Sequence, residues 1–557
     1  MLKKSLSLLI AGLFICTAIF AQESKSKTES PKNWYQLDTS YNGISLNQAY
    51  NLIKEEKLKS NRVVVAVIDS GIDTTHEDLK PILWTNPGEI PGNGKDDDKN
   101  GYVDDVHGWN FLGGKDGRNV GKDSYEAARV YYSLKPKWDG KTVDTTTLSK
   151  ADLAEYRVFK KAEANVMGDK EGSEMQLKML KNLQETLAGA DSILQNAMGN
   201  KIYTGTNLDT LTPKNSDEKK AKQRMLGIMK NAGELDNTNE DFLKSLNDYI
   251  SGEEEKEAAK TAAPEPYRQE IVQDDETNLN DRNYGNNDLL ANTPFHGTHC
   301  SGIIAAVRDN GKGIDGIADN VRIMMVRAVP DGDEHDKDIA NAIRYAVDNG
   351  AKIISMSFGK PFSPQKQWVD DAFRYAESKG VLLVQAAGND SKNVDEDPSY
   401  PSPYFKDNGL RASNVIMVGA SGNAENGGLT ASFSNYGKNT VNVFAPGVRI
   451  YSTIPGGDKY GNASGTSMAC PVVAGIAALV LEYYPNFTPQ QLKKVIEKSV
   501  VVPSEEVKIP GTDDMAKLSD LCITGGIVNA YNAIKVAGEL NAKLKKSMKQ
   551  PRKKSKN

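Results

Sequence analysis

Short unbroken apolar runs and long one-faced stripes divide this chain between them. Val63-Val64-Val65-Ala66-Val67-Ile68 is apolar throughout and mostly β-branched. A run without polar alternation is buried on both faces, as in a parallel sheet, and is predicted as a strand. Val321 to Val326 and Ala351 to Gly359 read as further strands. Between them Ile339, Ala342, Ile343, Ala346 and Val347 place an amphipathic helix over Asp338 to Asn349. Val472 to Leu481 carries no polar side chain and is too short to span a bilayer, so it is predicted as a buried helix. Leu46 to Leu58 reads as a helix leading into the first strand. Thr488-Pro489-Gln490-Gln491 reads as a capped helix start with proline in first position.

A different texture follows Phe111. The chain turns polar and lysine-rich, with helical windows over Ala151 to Val166 and Glu240 to Ile250. Met179, Leu180, Leu183, Leu187 and Leu194 share one helix face. Thr204 to Ser216 reads as a connecting loop, and Ala262-Ala263-Pro264-Glu265-Pro266 ends the helical pattern. Residues 113–280 are therefore predicted as a helical insertion, a hairpin or small bundle. It is expected to be a separable unit, either a lid, docking arm or inhibitor, or a stabilising decoration.

Three segments carry candidate chemistry. Ser467, in the turn Gly465-Thr466-Ser467, opens the buried helix, where free backbone N–H groups and the positive dipole end favour a developing anion. A serine there is a nucleophile or a plain N-cap. Asp69 ends the first strand, the place for ligand and catalytic groups in an open α/β sheet, or for a turn residue. Of the five histidines, His296 and His299 fall in one small-residue segment, Phe295-His296-Gly297-Thr298-His299-Cys300-Ser301-Gly302.

In the order Asp, His, Ser, these segments resemble the subtilisin-like serine proteases, the subtilases. The matching motifs are Val67-Ile68-Asp69-Ser70-Gly71-Ile72-Asp73, His296-Gly297-Thr298-His299-Cys300-Ser301-Gly302 and Gly465-Thr466-Ser467-Met468-Ala469-Cys470-Pro471. Ala386-Ala387-Gly388-Asn389 is a fourth match. The resemblance implies a three-layer α/β fold and a secreted endopeptidase acting on proteins or peptides. Ser467 would be the nucleophile, His296 the base and Asp69 its orienting partner. Asn389 would stabilise the oxyanion. The substrate would pair as an added strand with Ser357, Phe358 and Gly359. Ala387 and Gly388 would form the other wall of the specificity pocket, with Ser399 as its floor. Small floor and apolar walls favour an uncharged side chain, while Asp395-Glu396-Asp397 favours a basic one. Other readings are a processing protease for one partner, and a degenerate subtilase serving as a binding scaffold.

The resemblance has a gap, since Asp69 and His296 stand far further apart than in typical subtilases. Residues 34–112 and 281–540 would make the catalytic domain, with the insertion between them. Lys3 and Lys4 followed by the apolar stretch Leu6 to Phe20 predict a signal peptide over 1–21, hence export to the periplasm or outside. Ile15 before Cys16 argues against a lipoprotein. Residues 22–33 are expected to be mobile, and too little chain precedes Val63 for the folded pro-domain the resemblance suggests. The basic 541–557 segment is expected to be a solvated tail. A net charge of −5 and a pI near 5.8, with no basic stripe, exclude nucleic acid as a natural partner. No span crosses a membrane beyond the signal, and a monomer is expected. Cys300, Cys470 and Cys522 remain after the signal; Cys300 and Cys470 are read as two buried thiols in preference to a disulfide, and the resemblance places Cys300 beside the catalytic histidine. His299 is read as structural.

Calcium is expected in two places. Asp96, Asp98 and Asn100, with Asp104 further on, set oxygens in an EF-hand-like order, but His107 at the twelfth position rules out a true EF-hand. The resemblance adds Asp78 and Asn310, with Lys312 beside them.

Overall fold

A computed structural model describes residues 31–549, except 169, 233–234, 236, 292–293 and 425–426. The expected signal peptide, residues 22–30 of the expected mobile segment, and 550–557 of the tail lie outside the described residues.

The unbroken apolar runs become one seven-stranded sheet of order β2-β3-β1-β4-β5-β6-β7, with every neighbouring pair parallel. Its strands are β1 (Val63–Asp69), β2 (Gly108–Asn110), β3 (Val321–Arg327), β4 (Ile353–Met356), β5 (Leu382–Ala386), β6 (Val415–Ser421) and β7 (Val443–Pro446). Alternation along β1 splits the core. Val63, Val65 and Val67 join one apolar cluster, whereas Ala66 and Ile68 join the other. A strand with apolar side chains on both faces needs helices on both, which gives three layers.

Helices flank the sheet, and others make up the insertion. Before the sheet stands α1 (Leu46–Glu55). Within the insertion come α2 (Glu126–Trp138), α3 (Lys150–Met167), α4 (Lys170–Met198), α5 (Gly205–Thr210), α6 (Ser216–Ala232), α7 (Asn239–Ala258) and α8 (Tyr267–Ile271). After it come α9 (Phe295–Ala305), α10 (Asp336–Asp348), α11 (Lys366–Ser378), α12 (Thr466–Tyr483), α13 (Pro489–Lys498) and α14 (Ala530–Lys549). An antiparallel hairpin, β8 (Ile450–Ile454) with β9 (Lys459–Ala463), leads into α12. Among the described residues α12 alone is long and apolar enough to cross a membrane, and it is 94% buried inside the fold. It is the central core helix. The predicted cap of α13 forms, with Thr488 and Gln491 exchanging side-chain bonds. The expected tail is helical as far as Lys549, because Leu540 and Leu544 still pack on the core.

The insertion has two parts. α2 and α3 form a hairpin around Tyr131 stacked on Phe159, 5.7 Å between centroids. α4 to α7 bury a separate core that includes Leu180, Leu187, Leu194, Met225, Phe242 and Leu246. The expected loop at Thr204 holds the short helix α5, capped by Thr204 and Asn207.

The sequence led us to expect a separable insertion, but its two ends are part of the core. Val120 and Val272 sit in the same cluster as Ile68 and Met324. Arg268 is buried and pairs with Asp338 of α10 and with Asp274, at 2.7 and 2.8 Å. Arg327, fully buried at the end of β3, donates to Ser70 O, Asn110 Oδ1 and Val120 O. Burial pushes its pKa down to about 10. Excising 113–280 would therefore remove part of the core under the sheet.

Candidate active site

β1 ends at Asp69, which is 1% exposed. Its Oδ1 accepts from the Ser70 N–H at 2.7 Å, which fixes the carboxylate against the turn. His296, on the first turn of α9, approaches from the other side. Its Nδ1 lies 2.7 Å from Asp69 Oδ1 and 2.9 Å from Oδ2. The neighbour Gly297 permits this approach, since a Cβ there would fall 2.2 Å from Gly71 O. His296 is about a quarter exposed, so one ring edge faces the cleft.

Ser467 occupies the second position of α12, below Gly465, and is 6% exposed. Pro471 stands four residues on and has no N–H, so the Ser467 carbonyl lacks its helical partner. Ser357 Oγ and Cys300 Sγ donate to that carbonyl instead, at 2.9 and 3.4 Å. These contacts tie the start of α12 to the end of β4 and to α9. The Ser467 hydroxyl itself donates to Ser357 O at 3.1 Å and not to His296. Nucleophile–base hydrogen bonds are commonly loose without substrate and tighten in the complex.

Asn389 follows β5. Its Oδ1 accepts from the Thr466 N–H at 2.9 Å and from Thr466 Oγ1 at 3.0 Å. Asn389 is thus anchored to the start of α12 through its oxygen and not through its NH2. Thr466 Oγ1 also accepts from the Gly388 N–H at 3.0 Å. The role of Thr466 was not read from the sequence, although it lies inside the serine motif.

The residues expected as pocket wall and floor, Gly359 and Ser399, lie beside each other. A Cβ on Gly359 would fall 3.0 Å from Ser399 Oγ, and Lys360 and Tyr400 exchange backbone hydrogen bonds, both 2.9 Å. Ala387 is buried, Phe358 half-buried, and Gly388 has φ +99°, which a side chain would strain. The acidic run is already engaged. Asp395 accepts from Asn439, Glu396 from Asn393, and Asp397 pairs with Lys161 and Lys392, both at 2.8 Å.

Among the described residues the three cysteines, Cys300, Cys470 and Cys522, are buried and free. Cys300 Sγ lies 4.0 Å from His296 Nδ1, and burial raises its thiol pKa well above the usual value. His299 is fully buried with Nε2 at 3.2 Å from Gly461 O, and burial lowers it to about 4, as suits a structural neutral imidazole.

The acidic loop is arranged differently from its sequence order. Asp104 accepts from the backbone of Gly92, Asn93 and Gly94, which closes the loop on itself. Asp96 accepts from the Asn100 and Gly101 N–H groups, and Asp98 from Asn86 and Asn100. Glu89 joins Asp96 and Asp98, with carboxylate oxygens all within 4.8 Å of one another. Glu89 is 7% exposed and its Oε2 has no partner. At the other place, Asp78 accepts from Asn310 Nδ2 and from Tyr460 OH, and Lys312 pairs with Glu77. Both Asp78 oxygens are thus occupied by donors.

The sequence profile of the subtilase family matches residues 60–521. A thermophilic serine proteinase of Bacillus sp. (strain AK1) is 40% identical over 241 residues, 43% of this chain and 52% of that protein. Thermitase of Thermoactinomyces vulgaris is 39% identical over 241 residues, 43% of this chain and 74% of thermitase. The match thus spans about half of the Bacillus proteinase. Among solved structures, the proteases from Pseudoalteromonas arctica PAMC 21717 align with TM-score 0.45 and 18% identity, over 91% of this chain and 97% of theirs.

Proposed function

This chain belongs to the subtilase family, and from that premise we propose that it is an exported serine endopeptidase working through Asp69, His296 and Ser467. The observation that carries the reading is the Asp69–His296 contact beside the start of α12, with Cys300 Sγ 4.0 Å from His296 Nδ1 and 3.4 Å from Ser467 O. Asp69 holds Nδ1–H, which leaves Nε2 as the acceptor for the Ser467 proton. Ser467 Oγ then attacks the carbonyl carbon and the imidazolium returns the proton to the departing amine. The acyl-enzyme is hydrolysed by the same steps with water as nucleophile. The Asn389 amide and the Ser467 N–H stabilise the oxyanion; losing one such donor costs roughly a hundred- to a thousandfold in turnover. The N-terminal apolar stretch supports export. The test is hydrolysis of denatured casein by the purified protein and by Ser467→Ala. The wild type is expected to cut it and the variant to be folded but inactive. Equal activity in both would reject the reading.

We further propose that Glu89, Asp96 and Asp98 hold a calcium ion, with water completing its shell. The orphaned buried Glu89 oxygen and the all-oxygen donor set fit a hard cation. The ion's part is structural, fixing the loop that precedes β2. Chelation by EDTA is expected to lower the melting temperature by several degrees, and calcium to restore it, because the ion binds the native state preferentially. The Glu89→Gln protein is expected to lose most of that response. Identical melting curves with and without chelator would remove the ion from the account.

A further inference from the structure

The insertion meets the chain just beyond segment 357–359, to which a bound substrate would pair. Ser467 Oγ lies 3.1 Å from Ser357 O, so the scissile bond belongs at the Ser357 end of segment 357–359. From there the segment leads away toward Lys360 and Phe362. Residues 333–334, just before α10, lie beside Lys360. Lys360 joins the two segments. Its Nζ donates to Glu334 O at 2.7 Å and pairs with Asp336 at 3.0 Å and with Glu126 of α2 at 2.6 Å. Arg129, one turn further along α2, pairs with Glu126 at 2.8 Å and donates to Asp333 O and Glu334 O at 3.1 and 3.2 Å.

This crossing is sealed. Lys360 is 3% exposed and Phe362 is 5% exposed, the latter under Tyr131 of α2 and Phe159 of α3. Lys161 of α3 then reaches Asp397, beside the pocket floor, at 2.8 Å. A long ammonium side chain stays buried only when carboxylates and carbonyls replace its water. The Glu126–Lys360–Asp336 group meets that condition, so it is a fixed wall and not a surface contact.

We propose that this bridge, with the α2–α3 hairpin above it, ends the groove after three substrate residues on the acyl side of the scissile bond. The inference rests on the reading of Ser467 as nucleophile. A chain paired to segment 357–359 advances one residue per residue of the edge, and the edge stops being available at Lys360. Residues further toward the substrate's N-terminus leave the groove and meet the hairpin or solvent. The substrate class is therefore chains recognised through three residues ahead of the cut, with no contribution from a longer acyl-side sequence. In a groove that stays open, each further paired residue adds binding energy that can be used in the transition state.

The experiment is a ladder of N-acetylated p-nitroanilide peptides of one to six residues, with alanines ahead of a constant terminal phenylalanine. The wild-type protein is used, so folding of a variant does not enter. We expect kcat/KM to rise up to three residues and then to stay within about threefold, or to fall, from three to six. A further rise of about tenfold or more between three and five residues would overturn the inference while leaving the peptidase reading intact. If no peptide is cut and a fluorophosphonate fails to label Ser467, both fall together. As a second reading, Glu126→Gln with Lys360→Met removes the charges of the bridge; if the protein folds, it is expected to gain from the fourth and fifth residues.

Discussion

Asp69→Asn is expected to lower kcat by about four orders of magnitude while KM changes little. The reason is the direction of one proton. Asp69 presents two acceptor oxygens to His296 Nδ1, at 2.7 and 2.9 Å, and so requires the hydrogen on Nδ1. An asparagine of the same shape would turn its NH2 toward that nitrogen and move the hydrogen to Nε2. The imidazole could then no longer accept from Ser467. Substrate binding uses segment 357–359 and the pocket beside Ser399, which the substitution does not touch. Steady-state kinetics on a three-residue p-nitroanilide measures the split. A loss confined to KM would mean that Asp69 supports the groove and not the base.

The second large effect falls on stability. Arg268→Met is expected to destabilise the fold by about 3–5 kcal/mol, the usual result of leaving a buried charge without its partner. Asp338 would keep Tyr284 OH, at 2.6 Å, but lose its guanidinium, and Asp274 would retain only Lys337, at 2.6 Å. Denaturant unfolding of the purified protein measures the loss. Adding Asp338→Asn to the variant is expected to recover part of it, since one orphaned charge disappears. Stability unchanged within about 0.5 kcal/mol would mean that α8 does not belong to the core.

These two sites differ in how far the sequence disclosed them. Asp69, His296, Ser467 and Asn389 stand in short motifs at the ends of strongly apolar elements, and both the strand and the helix could be read from composition alone. The helices α3, α4 and α7 were legible because each has one continuous apolar stripe. α6 was not, because Ala221, Met225 and Met229 are few and small among lysines. β5 is as apolar as β1, yet its five residues are too short to tell from a buried helix by pattern. The seating of the insertion was the least legible feature. Arg268, Lys360 and Glu126 are residue types that belong at the surface, and they are buried only because each finds a partner distant in sequence. No local pattern records such a pairing. Glu89 escaped for the same reason, since only the folded loop brings it beside Asp96 and Asp98. Asp104 has the right spacing for a ligand, but its positive φ of 52° turns it toward the 92–94 backbone.

The central claim is that Ser467 is a nucleophile activated by His296. It is tested most directly by treating the native protein with a fluorophosphonate and locating the adduct by peptide mass spectrometry. The account predicts a single adduct on Ser467, formed quickly in the wild type, sharply slowed in His296→Ala, and absent after heat unfolding. A protein that takes no label, or takes it on another residue, or labels equally fast without His296, would contradict it.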